Sequence, residues 1–319
     1  MFFWHTLQIV APVFILAFIG LFLKKIRLIN LPFVEISNRL VFHVALPCLI
    51  FVKLAPVDFI RLFRPDLVLT VCLGTILVFF LVWLAAKPWI RRGEDLGVFV
   101  QGSFRSNFAI VGFAVIWNLY GESGLAQAAV ILAFIMPLYN LLAIIVLTVS
   151  VHRKKLPMKT VLCRVMTNPL MIAVLIALIV SMLHWQPHPV LLDTAEILSR
   201  LALPLALLGI GGSLNTEAVR SASKMAITAS LIKLILIPAG LTAGAIYLGF
   251  RDYELGILFI LFGSPTAVSS FVMADAMGAN SKLAGNIVLI STIGATLTLT
   301  AGIVLLHHLG YLPSMAPGG

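Results

Sequence analysis

The sequence predicts an all-α polytopic membrane protein, and two observations lead to that prediction. Of its 319 residues, 61% are hydrophobic and only 11% are charged, whereas soluble domains carry roughly a quarter charged residues. Apolar runs also recur along the whole chain, many of them close to the length of about 20 residues that a helix needs to cross a bilayer. We therefore expect a multi-pass protein of the cell (inner) membrane rather than a soluble domain.

Ten apolar segments are predicted to be transmembrane helices, and we number them 1 to 10. They lie at residues 5–23, 39–54, 66–86, 96–119, 125–149, 168–184, 195–213, 225–249, 254–276 and 283–306. Fifteen of the 22 Lys and Arg residues lie in or beside the loops that follow odd-numbered segments, and only five lie on the opposite side. The positive-inside rule then places the odd loops in the cytoplasm and both termini outside. The net charge of +10 is thus explained by topology, and we expect no nucleic-acid partner.

The two halves of the chain resemble each other weakly, which predicts an internal repeat. "ALP" occurs in segments 2 and 7, and "DLGVFVQGS" of segment 4 parallels "ELGILFILFGS" of segment 9. Both matches are five segments apart, and because five is odd the second copy must be inverted in the membrane. We expect a first five-helix repeat at 1–151, a cytoplasmic connector at 152–167 and a second repeat at 168–319. Inverted repeats with interrupted helices are a common plan of secondary transporters.

Segments 4 and 9 both contain stretches that should interrupt a helix, "GSFRSNFAIVG" and "GSPTAVSSFVM". Backbone groups freed by such a break must face protein or a water-filled cavity, although a simple kink packed by small residues is an alternative. The paired positions favour a binding site, and helix N-termini together with the charge of Arg105 favour an anion. The candidate substrate-binding residues from these stretches are Ser103, Arg105, Asn107, Ser264, Pro265, Thr266 and Ser269.

A second cation, Lys233, lies within segment 8, at a depth of roughly 13 Å at the helical rise. Charges inside a membrane are usually functional, so Lys233 joins the candidates, with a snorkelling side chain or a structural ion pair as alternatives. His43 in segment 2 could relay protons or simply pack between helices. The sequence has no cofactor motif, no metal-ligand spacing and no evident catalytic dyad, so we expect neither an enzyme nor a bound cofactor or metal.

Several stretches resemble helices of the auxin efflux carrier (PIN-like) family. "NRLVFHVALPCLIF", "FRSNFAIVGFA", "MPLYN", "LIKLILIP" and "STIGATLTLT" are similar to its second, fourth, fifth, eighth and tenth helices, in order and over nearly the whole chain. The resemblance adds Asn140, at the end of "MPLYN", to the candidate substrate-binding residues. The bacterial members of the family are regarded as permeases for small organic acids.

The resemblance implies a fold similar to that of sodium/proton antiporters and bile-acid transporters. Segments 1, 2, 6 and 7 would form a scaffold, often dimeric, and segments 3–5 and 8–10 a transport domain around the crossing of broken segments 4 and 9. The chain departs from the family at Ala114 and Thr300, where the family commonly has proline. The first of these departures predicts a softer break in segment 4 than in segment 9.

We therefore expect a secondary transporter that moves a small organic anion, a mono- or dicarboxylate, by an elevator-like alternating access. A cation/proton antiporter of the same fold is the alternative, and a non-transporting membrane sensor is a second one. The sequence leaves open which carboxylate is carried, the direction of transport, and whether a proton or sodium ion is coupled. It also leaves open the oligomeric state and the participation of Lys233 or His43.

Overall fold

The computed structural model describes residues 2–56, 63–152, 167, 169–183, 185, 187–213 and 224–313. Within these ranges the chain is helical, apart from short connections and one isolated antiparallel bridge. Residues 153–166, which make up most of the predicted connector 152–167, lie outside the described ranges.

The described residues of the first half form six α-helices. They are α1 (Phe2–Lys25), α2 (Leu31–Leu40), α3 (Leu46–Leu54), α4 (Pro65–Ala86), α5 (Gly93–Phe104) and α6 (Phe113–Leu147). Three π-helical turns continue them, at Val41–Ala45, Phe108–Gly112 and Thr148–His152. A kink at Gly121, where φ is 61°, divides α6 between the predicted segments 4 and 5. Glycine reaches this positive φ without the steric cost that a Cβ atom would bring.

In the second half, the part that the structure describes forms eight α-helices and one further π-helical turn, at Ile232–Leu236. The helices are α7 (Pro169–Met182), α8 (Pro189–Arg200), α9 (Ala202–Ser213), α10 (Lys224–Leu231), α11 (Ile237–Tyr247), α12 (Asp252–Gly263), α13 (Ser269–Ala276) and α14 (Ser281–His308). Each of the ten predicted apolar segments overlaps one or two of the helices in the two halves.

Five helical stretches in the described ranges are long and apolar enough to cross a membrane. They are Leu31–Leu54, Pro65–Ala86, Phe108–Val151, Lys224–Tyr247 and Ser281–His308. On α4, Leu69, Leu73 and Leu84 leave more than half of their surface exposed, as suits a face that contacts lipid. The predicted class of an all-helical polytopic membrane protein is thereby confirmed, whereas the count of ten spans and the inverted repeat stay predictions.

Two groups of helices surround the site. In the first group α1 packs on α9, and α3 packs on α7 and α8. Gly20 and Gly211 allow the close contact of α1 with α9, since a Cβ atom would lie 2.2 Å from the Leu208 carbonyl oxygen or 1.7 Å from that of Ala17. In the second group α5 packs on α4, α6, α10 and α14, and α14 also contacts α12 and α13. The second group holds both interrupted helices.

Candidate functional site

The first interruption, which we call break 1, comprises Arg105–Asn107 between α5 and the π-helical turn Phe108–Gly112. The regular ladder stops where the Arg105 N–H donates to the Gln101 carbonyl, and Arg105 itself has extended backbone angles. Ser103 Oγ turns back and donates to the Phe99 carbonyl at 2.8 Å, so that its hydroxyl is satisfied inside the buried helix end. Break 1 is therefore a chain segment that leaves the helix inside the protein.

The second interruption, break 2, comprises Ser264–Val268 between α12 and α13. Pro265 has no N–H, so the Leu261 carbonyl cannot receive its ordinary helical hydrogen bond. The N–H of Thr266 points away from the helix and donates to Ser291 Oγ of α14 at 3.1 Å. The Phe262 carbonyl consequently also loses its helical donor and needs another partner.

The two breaks cross each other and pair through their backbones. Ser106 and Thr266 form an isolated antiparallel bridge. On either side of it, the Asn107 N–H donates to the Pro265 carbonyl at 2.7 Å and the Ala267 N–H donates to the Arg105 carbonyl at 3.4 Å. Each break thus satisfies backbone groups that the other has freed, which is the condition for irregular backbone at membrane depth.

A side chain of break 2 completes this pairing. Thr266 Oγ1 donates to the Gly102 carbonyl at 2.6 Å, and both Thr266 and Ser264 are at most 1% exposed. Ser264 Oγ donates to the Ile260 carbonyl of its own helix. Ser103, Ser264 and Thr266, three of the predicted site residues, therefore satisfy backbone carbonyls at the helix ends.

The guanidinium group of Arg105 is buried at break 1 and is held by neutral groups. Arg105 is 5% exposed; its Nη2 donates to Asn140 Oδ1 at 2.7 Å, and its Nη1 contacts Met273 Sδ at 2.6 Å. A thioether sulfur is a weak acceptor compared with a carboxylate. Within the described residues, no carboxylate lies at ion-pair distance from Arg105. The charge of Arg105 therefore has no counter-charge from the described part of the chain.

Lys233 also contacts the crossing and lies on the π-helical turn between α10 and α11. It is 0% exposed, so its ammonium does not reach a surface of the protein. Lys233 Nζ donates to Ser106 Oγ at 2.6 Å and to the Phe262 carbonyl at 2.5 Å. The ammonium therefore connects break 1 to the end of the helix that precedes break 2.

A cavity of about 640 Å³ opens beside the crossing. Three of the predicted substrate-binding residues, Arg105, Asn107 and Ser269, line it. The remaining six lie behind this lining and shape the breaks or hold Arg105, namely Ser103, Asn140, Lys233, Ser264, Pro265 and Thr266. The structure thus brings the predicted residues to one region but divides them between the cavity wall and its support.

Several residues at the site were missed from the sequence. Ser106, which lies within the quoted stretch of segment 4, accepts from Lys233 and lines the cavity. Met273 lies one helical turn after Ser269, so the i, i+4 spacing could have indicated it. Tyr139 also lines the cavity, beside the Asn140 that holds Arg105. Ser291 begins the quoted stretch of segment 10, but its sequence did not indicate that its hydroxyl accepts from the Thr266 N–H of break 2.

The cavity lining also contains polar and charged residues outside the two breaks. Glu35, Arg39 and Asp275 line it, and all three are exposed. His43 also lines the cavity, and its Nδ1 lies 2.9 Å from the Arg39 carbonyl oxygen. The cavity lining therefore combines exposed charged residues with the buried guanidinium of Arg105.

Crossed helix breaks and buried cations in a multi-span apolar protein are features of the membrane transport proteins as a class. A family model described as "Membrane transport protein" matches residues 5–303, and the chain belongs to this family, the auxin efflux carrier family. The predicted family is therefore confirmed. The family consists of transporters and not of enzymes, which also confirms the predicted class.

Three relatives extend this result. The chain is 24% identical to an uncharacterized transporter of Methanocaldococcus jannaschii over 299 residues, which covers 90% of this chain and 94% of the relative. It is 24% identical to an uncharacterized transporter of Methanothermobacter thermautotrophicus, covering 92% and 96%. It is 26% identical to a protein of Rhizobium meliloti named "Putative malonate transporter", covering 89% and 91%.

Proposed function

We propose that this protein is a secondary transporter for a small organic anion, a mono- or dicarboxylate, which binds beside the crossing of breaks 1 and 2. The observation that carries the proposal is the Arg105 guanidinium, which lines the cavity and is 5% exposed. Among the described residues, neutral side chains alone hold this charge. A buried charge that lacks a counter-charge is costly, and an anionic substrate would supply one.

The surroundings of Arg105 would allow a substrate to replace the weak contact between the guanidinium and Met273. A guanidinium has five N–H donors, and two of its nitrogens contact Asn140 and Met273. A carboxylate that displaced the thioether of Met273 could accept two parallel hydrogen bonds from the planar group. The N-terminus of α13, which follows break 2, adds a partial positive charge near the same place.

The size of the cavity and one relative support a small carboxylate. About 640 Å³ lies within the range of roughly 300–1,000 Å³ that is usual for small-molecule sites. The relative from Rhizobium meliloti is named for malonate, a small dicarboxylate. Asn107 and Ser269, which also line the cavity, could donate to a second carboxylate or to other oxygen atoms of the substrate.

The rival function, cation/proton antiport, would need a buried carboxylate at the crossing. In the described ranges the acids that line the cavity, Glu35 and Asp275, are exposed residues. Asp95 is buried, but its Oδ1 accepts from Asn280 Nδ2 at 2.7 Å, outside the cavity lining. These positions favour an anion carrier over a cation carrier.

An elevator-like alternating access fits the two packing groups. The group of α1, α3, α7, α8 and α9 would be the scaffold, through which two copies would form a homodimer. The group with both breaks would move and carry the substrate with it. In the predicted topology, with both termini outside the inner membrane, Glu35, Arg39 and Asp275 lie toward the cytoplasmic loops, so the cavity would open to the cytoplasm. A gradient of protons or sodium ions would supply any driving force.

The test is uptake by the purified protein in proteoliposomes. Labelled malonate, longer dicarboxylates and monocarboxylates are supplied in turn, with and without an imposed proton or sodium gradient. We expect protein-dependent, saturable uptake of at least one carboxylate, and competition by its analogues. Exchange of sodium ions for protons in the same vesicles, with no uptake of any carboxylate, would contradict the proposal and favour the antiporter.

A further inference from the structure

The surroundings of Lys233 differ from those of an ordinary buried cation. Its Nζ atom has two oxygen partners at 2.6 and 2.5 Å, Ser106 Oγ and the Phe262 carbonyl, and both are neutral. Among the described residues Lys233 has no ion-pair partner, and it is fully buried. Lys233 is also absent from the lining of the substrate cavity.

The Phe262 carbonyl lies at the end of a helix and lacks its helical hydrogen-bond donor. It lies in the last turn of α12, which ends at Gly263, and its helical donor, the Thr266 N–H, is bound to Ser291 instead. Carbonyls at the C-terminal end of a helix carry partial negative charge and favour cations. Oxygen atoms of this kind, from unwound backbone and half-helix ends, coordinate the coupling ions of transporters built with interrupted helices.

The helix that carries Lys233 is shaped to deliver its ammonium to this point. Lys233 lies on the π-helical turn Ile232–Leu236, and Pro238 follows two residues after the end of that turn. Pro238 has no N–H, so the Leu234 carbonyl loses its helical donor and the ladder there is loosened. Wide turns of this type within α-helices occur frequently at functional positions.

We infer that Lys233 is a tethered cation, whose ammonium occupies a cation-binding position between breaks 1 and 2 and makes a free sodium ion unnecessary there. The hydroxyl of Ser106 and the Phe262 carbonyl are the oxygen ligands that a sodium ion would use at this position. The crossing therefore carries its cation without a bound sodium ion, and no sodium ion binds at this position to be coupled to transport. This inference rests on the proposed function only for its consequence for transport, since the cation position itself is a property of the folded protein.

The first measurement needs no substrate. The melting temperature of the purified wild-type protein is recorded in sodium chloride and in choline chloride at equal ionic strength. A ligand that binds only the folded state raises the melting temperature in a saturable manner. We expect no difference between the two salts, because the ammonium of Lys233 already fills the position. A saturable, sodium-specific rise in the wild type would overturn the inference.

The second measurement uses Lys233→Ala, with Lys224→Ala as the matched control. Lys224 lies on the same stretch of helix but is exposed. Lys233→Ala leaves the Phe262 carbonyl and Ser106 without their donor, so we expect its melting temperature to fall by about 4 °C or more, while that of the control changes little. Sodium or ammonium chloride should then raise the melting temperature of Lys233→Ala saturably relative to choline chloride.

A folded Lys233→Ala protein that is as stable as the wild type, or that responds to these salts no more than the wild type does, would overturn the inference. If this variant cannot be obtained folded, the wild-type salt comparison decides. Both readouts are independent of substrate. Failure of carboxylate uptake would therefore contradict the proposed function, and a sodium response of the wild type would contradict only the role of Lys233.

Discussion

Breaks 1 and 2 have the same backbone role and different side-chain roles. In each, one N–H donates across the crossing to the other break, from Asn107 to Pro265 and from Ala267 to Arg105. Break 1 carries the charged residue Arg105 at the position whose carbonyl accepts from break 2. Break 2 carries Pro265 at the corresponding position. The backbone arrangement is thus reciprocal, whereas the chemistry of the two breaks is not.

This difference indicates that the two breaks have different roles, one structural and one in binding the substrate. Break 2 is interrupted by its own covalent structure, because Pro265 cannot donate to Leu261. Break 1 contains no proline, and its open form depends on partners, among them Thr266 for the Gly102 carbonyl and Lys233 for Ser106. Break 2 therefore supplies a rigid platform, and break 1, which it holds open, presents the charged group to the cavity.

The largest effect is expected from removing the feature that makes break 2 rigid. Pro265→Ala restores an N–H that can donate to the Leu261 carbonyl, and so allows α12 to continue. Alanine is favoured over proline inside a helix by about 3 kcal/mol, which corresponds to roughly two orders of magnitude in an equilibrium. We expect uptake in proteoliposomes to fall by more than about tenfold, while the protein still inserts and stays folded.

The control for this change is Pro189→Ala, which replaces an exposed proline in the first turn of α8. Proline there removes no helical hydrogen bond, so uptake should be unchanged. Near-normal uptake by a folded Pro265→Ala protein would mean that break 1 opens without the rigid platform of break 2, and the division of roles would then be wrong.

A smaller effect is expected from altering the charged group of break 1 while keeping its charge. Arg105→Lys retains a cation but loses the planar, two-pronged contact with a carboxylate. A charge-assisted hydrogen bond in a partly dry site contributes on the order of 1.5–3 kcal/mol, so substrate affinity should fall roughly ten- to hundredfold. Affinity is measured by competition in the uptake assay, and the melting temperature is recorded for the same samples.

The matched control for Arg105→Lys is Arg200→Lys, at an exposed residue that pairs with Glu196 on the surface of α8. Its affinity should equal that of the wild type, since exposed pairs contribute little. Arg105→Ala separates a binding role from a structural one. If Arg105→Lys binds normally and Arg105→Ala only lowers the melting temperature, Arg105 is a structural residue and the anion site lies elsewhere.

Much of this comparison could be predicted from the sequence because both breaks have strong local signals. Each break contains or follows residues of types that weaken a helix wherever they occur in it, namely Gly102, Ser103, Gly263, Ser264 and Pro265. A charge at membrane depth is also visible in a single sequence, so Arg105 and Lys233 were both identified. The predicted helices and the positions of the interruptions follow from such local rules.

The division of labour among these residues could not be predicted, because it depends on which groups meet in three dimensions. Lys233 and Arg105 look equivalent in the sequence, yet Lys233 is fully buried against Ser106 and Phe262, while Arg105 lines the cavity. Thr266 and Ser264 looked like substrate ligands, but their hydroxyls are used by carbonyls at the helix ends. The hydrogen-bond demands of an interrupted backbone are set by the partner helix, which no local pattern records.

The smallest effect is expected at Asn107, where break 1 meets the cavity. Its N–H donates across the crossing to the Pro265 carbonyl, and its carbonyl accepts from the N–H groups of Val111 and Gly112 in the following turn. Its side chain makes no capping hydrogen bond to that turn and lines the cavity. Asn107→Ala keeps the backbone bonds and removes a neutral partner contributing about 0.5–1.5 kcal/mol, so affinity should fall roughly two- to tenfold.

Asn107→Asp has nearly the same shape but adds a negative charge close to Arg105. If break 1 binds the anion, Asn107→Asp should lower the affinity for the carboxylate substrate much more than Asn107→Ala does. The reason is that the new carboxylate repels the substrate and competes with it for the Arg105 guanidinium. If Asn107→Asp instead binds carboxylates as well as Asn107→Ala does, or gains affinity for a cation, break 1 does not hold the anion.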